Sequence, residues 1–293
     1  MIPASHIKKT IDFNARFRGL LEVLKLVAVS QYHQLEKRLK TFELLKDVVG
    51  QFFQSIDLTG VDHPFLNPGD RPMGVVAVTS DAGLLGGMNM QVVSKAVELV
   101  RANNGQLIIV GERGQSLVQD WGMSYTSFPG IVDATRFQQS CHMRDLLTQN
   151  VMAGKLGAVK IVYPRAVSLV INRVETETFI PFSQLPDAKT SGPAPESPEA
   201  GAGIALSKEV IFESTPRELV ENLVYVLMGQ RLFEIFGMAR LAEQAARFTH
   251  LEESGQKILE LNRKLQLQYF RRRHEMIDAQ MRELFASRST YAK

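Results

Sequence analysis

Both ends of the chain carry apolar residues at helical spacing over lengths that ordinary globular helices do not reach. Near the N-terminus, Phe13, Phe17, Leu20, Leu24 and Val27 alternate steps of four and three, the spacing of a coiled-coil seam. Leu35, Leu39, Phe42, Leu45, Val49, Phe52 and Ile56 continue the seam after one inserted step of four, a stutter that locally unwinds a supercoil. The pattern predicts a helix over residues 2–57. Because globular helices average about 10–14 residues, that length favours a coiled coil over a helix packed on its own domain. At the other end, residues 216–287 form a near-unbroken helical stretch. Thr215 suits the N-cap, Pro216 the first helical position, and Glu218 completes a Thr-x-x-Glu capping box. No proline follows, and glycine occurs only at Gly229, Gly237 and Gly255. At about 1.5 Å per residue this is a rod of roughly 100 Å, longer than any domain the chain could build. It must pair with another long helix or be buried in a partner. Its seam runs through Leu251, Gly255, Ile258, Asn262, Leu265, Tyr269, Arg272 and Met276. Asn262 and Arg272 interrupt it, which weakens a simple two-helix coil and suits an end surrounded by other subunits.

Between the rods the pattern changes period. Residues 73–80 (MGVVAVTS), 106–111 (QLIIVG) and 158–164 (AVKIVYP) are short, β-branched apolar runs of the kind that form buried strands. Amphipathic stretches at about 88–102, 114–121 and 135–153 read as helices between them. Residues 168–182 alternate apolar and polar positions, which predicts one or two antiparallel strands at a sheet edge. This order predicts an α/β unit with a mainly parallel sheet. Residues 184–207, rich in Pro, Gly, Ala and Ser, read as a flexible loop, and residues 209–212 are a candidate last strand. The expected fold is α/β, with a long antiparallel coiled coil of N- and C-terminal helices and an α/β domain inserted between them. The divisions are an N-terminal shaft helix at 1–60, the domain at 73–212 and a C-terminal shaft helix at 213–293.

Composition changes little. The 293 residues are 45% hydrophobic and 22% charged with a net charge of +3, too small to imply nucleic acid. No apolar run approaches the length of a membrane span. The N-terminus has the character of neither a secretory signal nor an organelle transit peptide. Cys141 is the only cysteine, so no internal disulfide forms and a reducing cytoplasm is expected. Charge distribution matters more: residues 263–288 carry seven Lys/Arg against three Asp/Glu.

The strongest candidate for chemistry is the turn SDAGLLGGMN at residues 80–89. A glycine-rich turn between strand and helix can cradle phosphate, because backbone N–H groups and the helix N-terminus attract anions. It lacks both Gly-Lys-Ser/Thr and G-x-G-x-x-G, so the plainer reading of Gly83, Gly86 and Gly87 is a tight turn with close helix–strand packing. GERGQS at 111–116 is a weaker signal of the same kind. The six histidines show no metal-ligand spacing, and Ser80 with Asp81 has no histidine companion and no G-x-S-x-G elbow. Arg271, Arg272 and Arg273 could meet carboxylates in bidentate fashion on a partner protein, or form a solvated face.

These motifs together resemble one family, the gamma subunit of the F-type ATP synthase, over nearly the whole chain. In the turn, Ser80, Asp81, Gly83, Leu84, Gly86, Gly87 and Asn89 match the family's Ser-Asp-Arg-Gly-Leu-Cys-Gly-Gly-x-Asn, with Ala82 and Leu85 replacing arginine and cysteine. LKLVAVSQ at 24–31 is similar to Met-x-Met-Val-Ala, with leucine at both methionine positions. AEQAARFTHL at 242–251 keeps Glu243, Ala245, Ala246 and Arg247 of the family's C-terminal motif, and Tyr269, Arg273 and Ile277 match further on. Phe270, His274, Asp278, Gln280 and Met281 depart from it, which suggests a divergent bacterial branch such as the alternative, sodium-coupled ATPases. The resemblance implies a non-catalytic rotor shaft without cofactor. It stands inside a hexamer of alpha and beta subunits, with the epsilon subunit and the c-subunit ring at its foot, on the cytoplasmic face of the bacterial membrane. It implies contacts to the hexamer through Leu24, Lys25, Arg271, Arg272, Arg273, His274 and Asp278. The residues alone also admit a phosphate- or nucleotide-binding α/β protein, or a coiled-coil adaptor.

Overall fold

The computed structural model describes residues 3–40, 63–181 and 215–291. The seam positions from Phe42 to Ile56, the loop at 184–207 and the candidate strand at 209–212 lie outside them. Helix α1 (Ala4–Lys40) opens the chain, and helix α5 (Pro216–Tyr291) closes it. Between them come β1 (Gly74–Val78), α2 (Met88–Asn103), β2 (Gln106–Val110), α3 (Glu112–Asp120), β3 (Thr126–Phe128), α4 (Arg136–Met152), β4 (Val159–Ala166) and β5 (Asn172–Ile180). The capping box forms as expected: the Glu218 amide donates to Thr215 Oγ1 at 3.4 Å, and the Thr215 amide to Glu218 Oε2 at 3.2 Å.

The sheet has the order β3-β2-β1-β4-β5, with β1 to β4 parallel and β5 antiparallel at the edge. β3 is a strand the sequence pattern missed, because three residues are too few to establish a period of two. β4 also runs past Pro164, which the sequence suggested as its end. Alternation along each strand divides the core. Val75, Ala77, Leu107, Ile109 and Val162 pack on Val92, Val93, Ala96 and Val97 of α2 and Val118 of α3. Val76, Val78, Ile108, Val110, Ile161 and Tyr163 pack on Met143, Leu147 and Val151 of α4. That same face takes Val224, Met228, Leu232, Ile235, Phe236 and Ala239 of α5. The first third of the long helix is therefore a core helix of the α/β domain.

Ion pairs hold this segment in place. Arg231 donates from Nε and Nη2 to the two carboxylate oxygens of Glu177 on β5, both at 2.7 Å, and from Nη1 to Glu234 at 2.7 Å. Burial opposes the charge on Arg231, but its two carboxylate partners outweigh that and raise its proton affinity. Arg144 of α4 lies 3.6 Å from the Tyr225 ring centroid, and the Tyr225 hydroxyl donates to Asp145 at 2.7 Å. Gly237 marks a close crossing, since a Cβ there would come within 2.6 Å of Leu39 Cδ2.

Beyond the domain α5 pairs with α1, antiparallel, but the pairing face of α1 differs from the expected one. The face turned to α5 is buried or half-buried at Ile7, Ile11, Asn14, Arg18, Leu21, Lys25, Ala28, Tyr32, Leu35 and Leu39, an unbroken alternation of four and three. Phe13, Phe17, Leu20 and Val27 are exposed, Phe13 at 65%, and of that stripe only Leu24 is half-buried. The expected seam is thus a real heptad stripe turned outward, and the stutter has no counterpart in the described pairing. The face turned inward carries polar groups with partners on α5: Asn14 Nδ2 donates to Asn262 Oδ1 at 2.9 Å, and Lys25 Nζ to Glu252 at 2.7 Å. On α5 the expected seam does hold from Leu251 through Arg272, whereas Met276 is exposed. Asn262 is no defect: it is satisfied by Asn14 and by the Ile11 carbonyl at 3.2 Å.

Truncating the inward and outward faces separates the two kinds of apolar residue. Leu232→Ala in the core should cost about 2–5 kcal/mol in urea unfolding of the isolated chain. Phe13→Ser on the outward stripe should change it by no more than about 0.5 kcal/mol.

Candidate functional site

Two places concentrate the residues singled out by the sequence. The first is the neck, where α5 crosses the ends of the strands. Parallel α/β sheets bind ligands in the crevice beyond the strand C-termini where the winding reverses, and here that point lies between β1 and β4. The turn at 80–89 follows β1 directly and is organised by its own side chains. The Asn89 amide donates to Ser80 Oγ at 2.9 Å and accepts from the Ser80 N–H at 3.3 Å, closing the loop. Leu84 and Gly86 take positive φ of 64° and 59°. Gly86 satisfies that requirement without strain and lies against the His250 ring of α5, 3.6 Å from where a Cβ would reach Nδ1.

The same segment fills the next helix end. The backbone N–H groups of Glu112, Arg113 and Gly114 donate to Asp81 Oδ1, the Ser80 carbonyl and Thr79 Oγ1 at 2.9, 3.1 and 3.1 Å. The N-terminus of α3, where GERGQS hinted at an anion site, is thereby occupied by the chain itself. Gly130 makes room for this arrangement, since a Cβ there would collide with the Asp81 carboxylate oxygens. The Gly83 position faces the Arg113 guanidinium, while Gly87 immediately precedes α2.

The crevice itself is plugged by α5. Leu85 and Met88 from the turn side pack on Ala242 and Ala246, with Ala166 at the end of β4 against them. On the adjacent side of α5, about 100° around the helix, Leu241 and Ala245 pack on Tyr32 and Leu35 of α1. Residues 241–246 are all buried, including Glu243 and Gln244. The Glu243 carboxylate is held by Arg240 on one oxygen and by Arg247 on the other at 2.7 Å. A cleft of about 90 Å³ remains between Ser80, Asp81, Met88, Pro164, Arg240 and Glu243. Pockets for small-molecule ligands run to about 300–1,000 Å³, so a nucleotide does not fit here. Two sequence motifs separated by some 150 residues, the glycine turn and AEQAARF, are thus two halves of one joint. Thr79 and Gly130, which complete it, carried no sequence signal of their own.

The second place is the shaft and its tip. Lys25, expected to face partners, is turned inward between Glu22 at 2.6 Å and Glu252 at 2.7 Å, while Leu24 beside it is half-buried. Its hydrogen bonds to Glu22 and then Glu252 raise its proton affinity, and the bonds from Lys25 and then Gln256 lower that of Glu252. Continuing the register of the Asn14–Asn262 pair brings the start of α1 level with about Arg272. From residue 273 to 291 no other described element runs beside α5, over roughly 28 Å. Along this tip and just before it, Arg271, Arg273, His274 and Asp278 are exposed, and Arg272 pairs with Glu275 at 2.7 Å. Ile277, Met281 and Phe285 form an apolar stripe along the same helix, Phe285 exposed at 64%. Among the described residues no helix is long and apolar enough to cross a membrane, and no group of three or more His, Cys, Asp or Glu could hold a metal ion.

A domain locked onto a two-helix shaft, whose outer faces and single-helix tip are apolar and basic, defines a stalk-type subunit of a larger assembly. The sequence model of the ATP synthase family matches residues 4–289, so the chain belongs to that family. It is similar to the ATP synthase gamma chain of Chlorobaculum tepidum, 24% identical with 94% of this chain and 96% of that one aligned. It is likewise similar to the gamma chain of Desulforamulus reducens, 23% identical with 97% of each covered. Among solved structures, the rotor of the Euglena gracilis mitochondrial ATP synthase matches with a TM-score of 0.65 at 16% identity, over 94% of this chain and 98% of that one. The central stalk and c-ring structure from Tetrahymena thermophila matches with a TM-score of 0.56 at 16% identity, over 80% of this chain and 99% of that one. The family placement and these gamma-chain relatives make it a central-stalk subunit of a rotary ATP synthase.

The Lys25–Glu252 pair gives the shaft a defined pH response. Glu252 is held below its ordinary pKa of 4.5, so its contribution is present above that value and is lost as pH falls through the lower folded value. Lys25 is held above 10.5, so its part persists below that value and is lost as pH rises through the folded value. Glu252→Gln should therefore lower the thermal midpoint at neutral pH, and the difference from wild type should vanish in acid below the carboxylate range.

Proposed function

We propose that the chain turns as the shaft of its complex and catalyses nothing itself. The single observation that carries this reading is the lone tip of α5, an apolar and basic helix that no other part of the described chain covers. Helices in proteins draw most of their stability from packing an apolar face, and an exposed apolar stripe calls for a sheath. The outward stripe of Phe13, Phe17, Leu20 and Val27 asks for the same sheath lower down. A ring of alpha and beta subunits supplies one, with Arg271, Arg272, Arg273, His274 and Asp278 meeting its inner surface and Leu24 near the shaft's base. The matched solved structures are a rotor and a central stalk with its c-ring, which supports a foot resting on the ring. On this reading the epsilon subunit lies beside the α/β domain.

The mechanism follows from stiffness and asymmetry. A shaft that presents different faces to each surrounding catalytic site biases those sites among states of different nucleotide affinity, and rotation passes the bias from one site to the next. Torque has to cross the neck, where α5 is clamped between α1, the glycine turn and β4. Arginines at the tip can exchange carboxylate partners at modest cost, because exposed ion pairs are each worth no more than about 1 kcal/mol. On this reading the subunit is peripheral, bound to the cytoplasmic face of a bacterial membrane through the ring.

The purified chain should show no ATP hydrolysis and no micromolar ATP binding in calorimetry, and should join the catalytic hexamer at one copy per complex. Recovery in equal number with the catalytic subunits would overturn the rotor reading. ATP binding abolished by substitutions in the turn at 80–89 would instead favour a nucleotide-binding domain.

A further inference from the structure

Helix α1 carries two heptad stripes, and the less apolar one faces α5. The outward stripe reads Phe13, Phe17, Leu20, Leu24, Val27, whereas the inward one over the same length reads Asn14, Arg18, Leu21, Lys25, Ala28. The two lie one residue apart, about 100° around the helix. Both lead to the same anchor, because the outward stripe reaches Leu35 and Leu39 after a single stutter, and Leu35 packs on Leu241 and Ala245. Apolar burial alone would turn the phenylalanine stripe toward Leu251, Ile258 and Leu265. We propose that the Asn14–Asn262 pair, seconded by Lys25–Glu252, is the positioning element that selects which face of α1 the shaft turns inward.

The geometry supports the choice. Asn14 is 9% exposed and its amide donates to Asn262 Oδ1 at 2.9 Å, while Asn262 also donates to the Ile11 carbonyl at 3.2 Å. Rotating α1 to bury Phe13 and Phe17 would take Asn14 away and leave Asn262 facing an apolar stripe without its partner, the situation buried amides avoid. A polar pair at a seam position is a recognised way for coiled coils to trade stability for a unique arrangement. The consequence for function rests on the rotor reading: the large apolar side chains stay outward, where surrounding subunits would meet them.

The test reads the face directly and needs no assembly, so it stands apart from the rotor reading. In a Cys141→Ser background, Leu21→Cys with Gly255→Cys reports the native face, and Leu20→Cys with Gly255→Cys reports the rotated one. The register of the asparagine pair brings Leu21 level with Gly255, and a Cβ added at 255 would meet nothing within 4 Å, so a cysteine fits there. With Asn262 intact, oxidation should cross-link only the variant carrying Leu21→Cys. Asn262→Leu, which orphans Asn14 and makes the α5 seam apolar between Ile258 and Leu265, should raise cross-linking of the variant carrying Leu20→Cys at least tenfold. Adding Asn14→Leu, which leaves neither asparagine to select a face, should keep the rotated cross-link raised rather than restore the native one. Asn262→Ala carries the same readout should the leucine variant fail to fold. An unchanged preference for the native-face cross-link in both Asn262 variants would overturn the proposal.

Discussion

The structure depends on one crossing. Where α5 passes the C-terminal ends of β1 and β4, it is enclosed on all sides by α1, the glycine turn and the sheet, and residues 241–246 are buried in succession. Small side chains make this possible, since Ala242, Ala245 and Ala246 let neighbouring elements approach the helix closely. Glu243 sits in the same stretch as a buried carboxylate, tolerable because two arginines on its own helix neutralise it. In many sheets of this kind the crevice is where a ligand binds; here the protein's own shaft takes that place.

That substitution fills the place where motifs with this look can hold a phosphate. Each N–H group that could have cradled an anion at the start of α3 is taken by Thr79, Ser80 or Asp81, and Asn89 closes the turn from behind. The turn works as a bearing surface for α5. Below the crossing, α5 is fixed to the sheet by apolar packing and the Glu177–Arg231–Glu234 bridge. Above it, the pairing with α1 is thinner, with polar contacts among small and medium apolar side chains. Packing therefore thins toward the tip, where the helix is left for partners to enclose.

The shaft also shows how exposed apolar residues are to be interpreted. Phe13, Leu20, Leu26, Leu267 and Phe270 are all more than half exposed, on both helices and facing away from the pair. Scattered apolar residues on a surface need no explanation, but a sustained stripe on each outer face does. It is the mark of a rod that completes its burial only within an assembly.

Much of this was legible in the sequence. Two helices too long for a domain, β-branched runs separated by amphipathic stretches, and an alternating edge strand all follow from local periodicity, so the architecture could be inferred before any coordinates. The same holds for the seam of α5 from Leu251 to Arg272 and for the capping box at Thr215. The face of α1 was not legible, because the hydrophobic pattern favours the stripe that ends up outside. Only the partner groups on α5, at Asn262 and Glu252, decide between the two, and their distance along the chain hides them from any local window. Likewise no local signal joins the turn at 80–89 to residues 242–250. Periodicity determined which elements form; tertiary structure decided which faces they turn to one another, because that choice depends on polar partners and close packing between segments far apart in the chain.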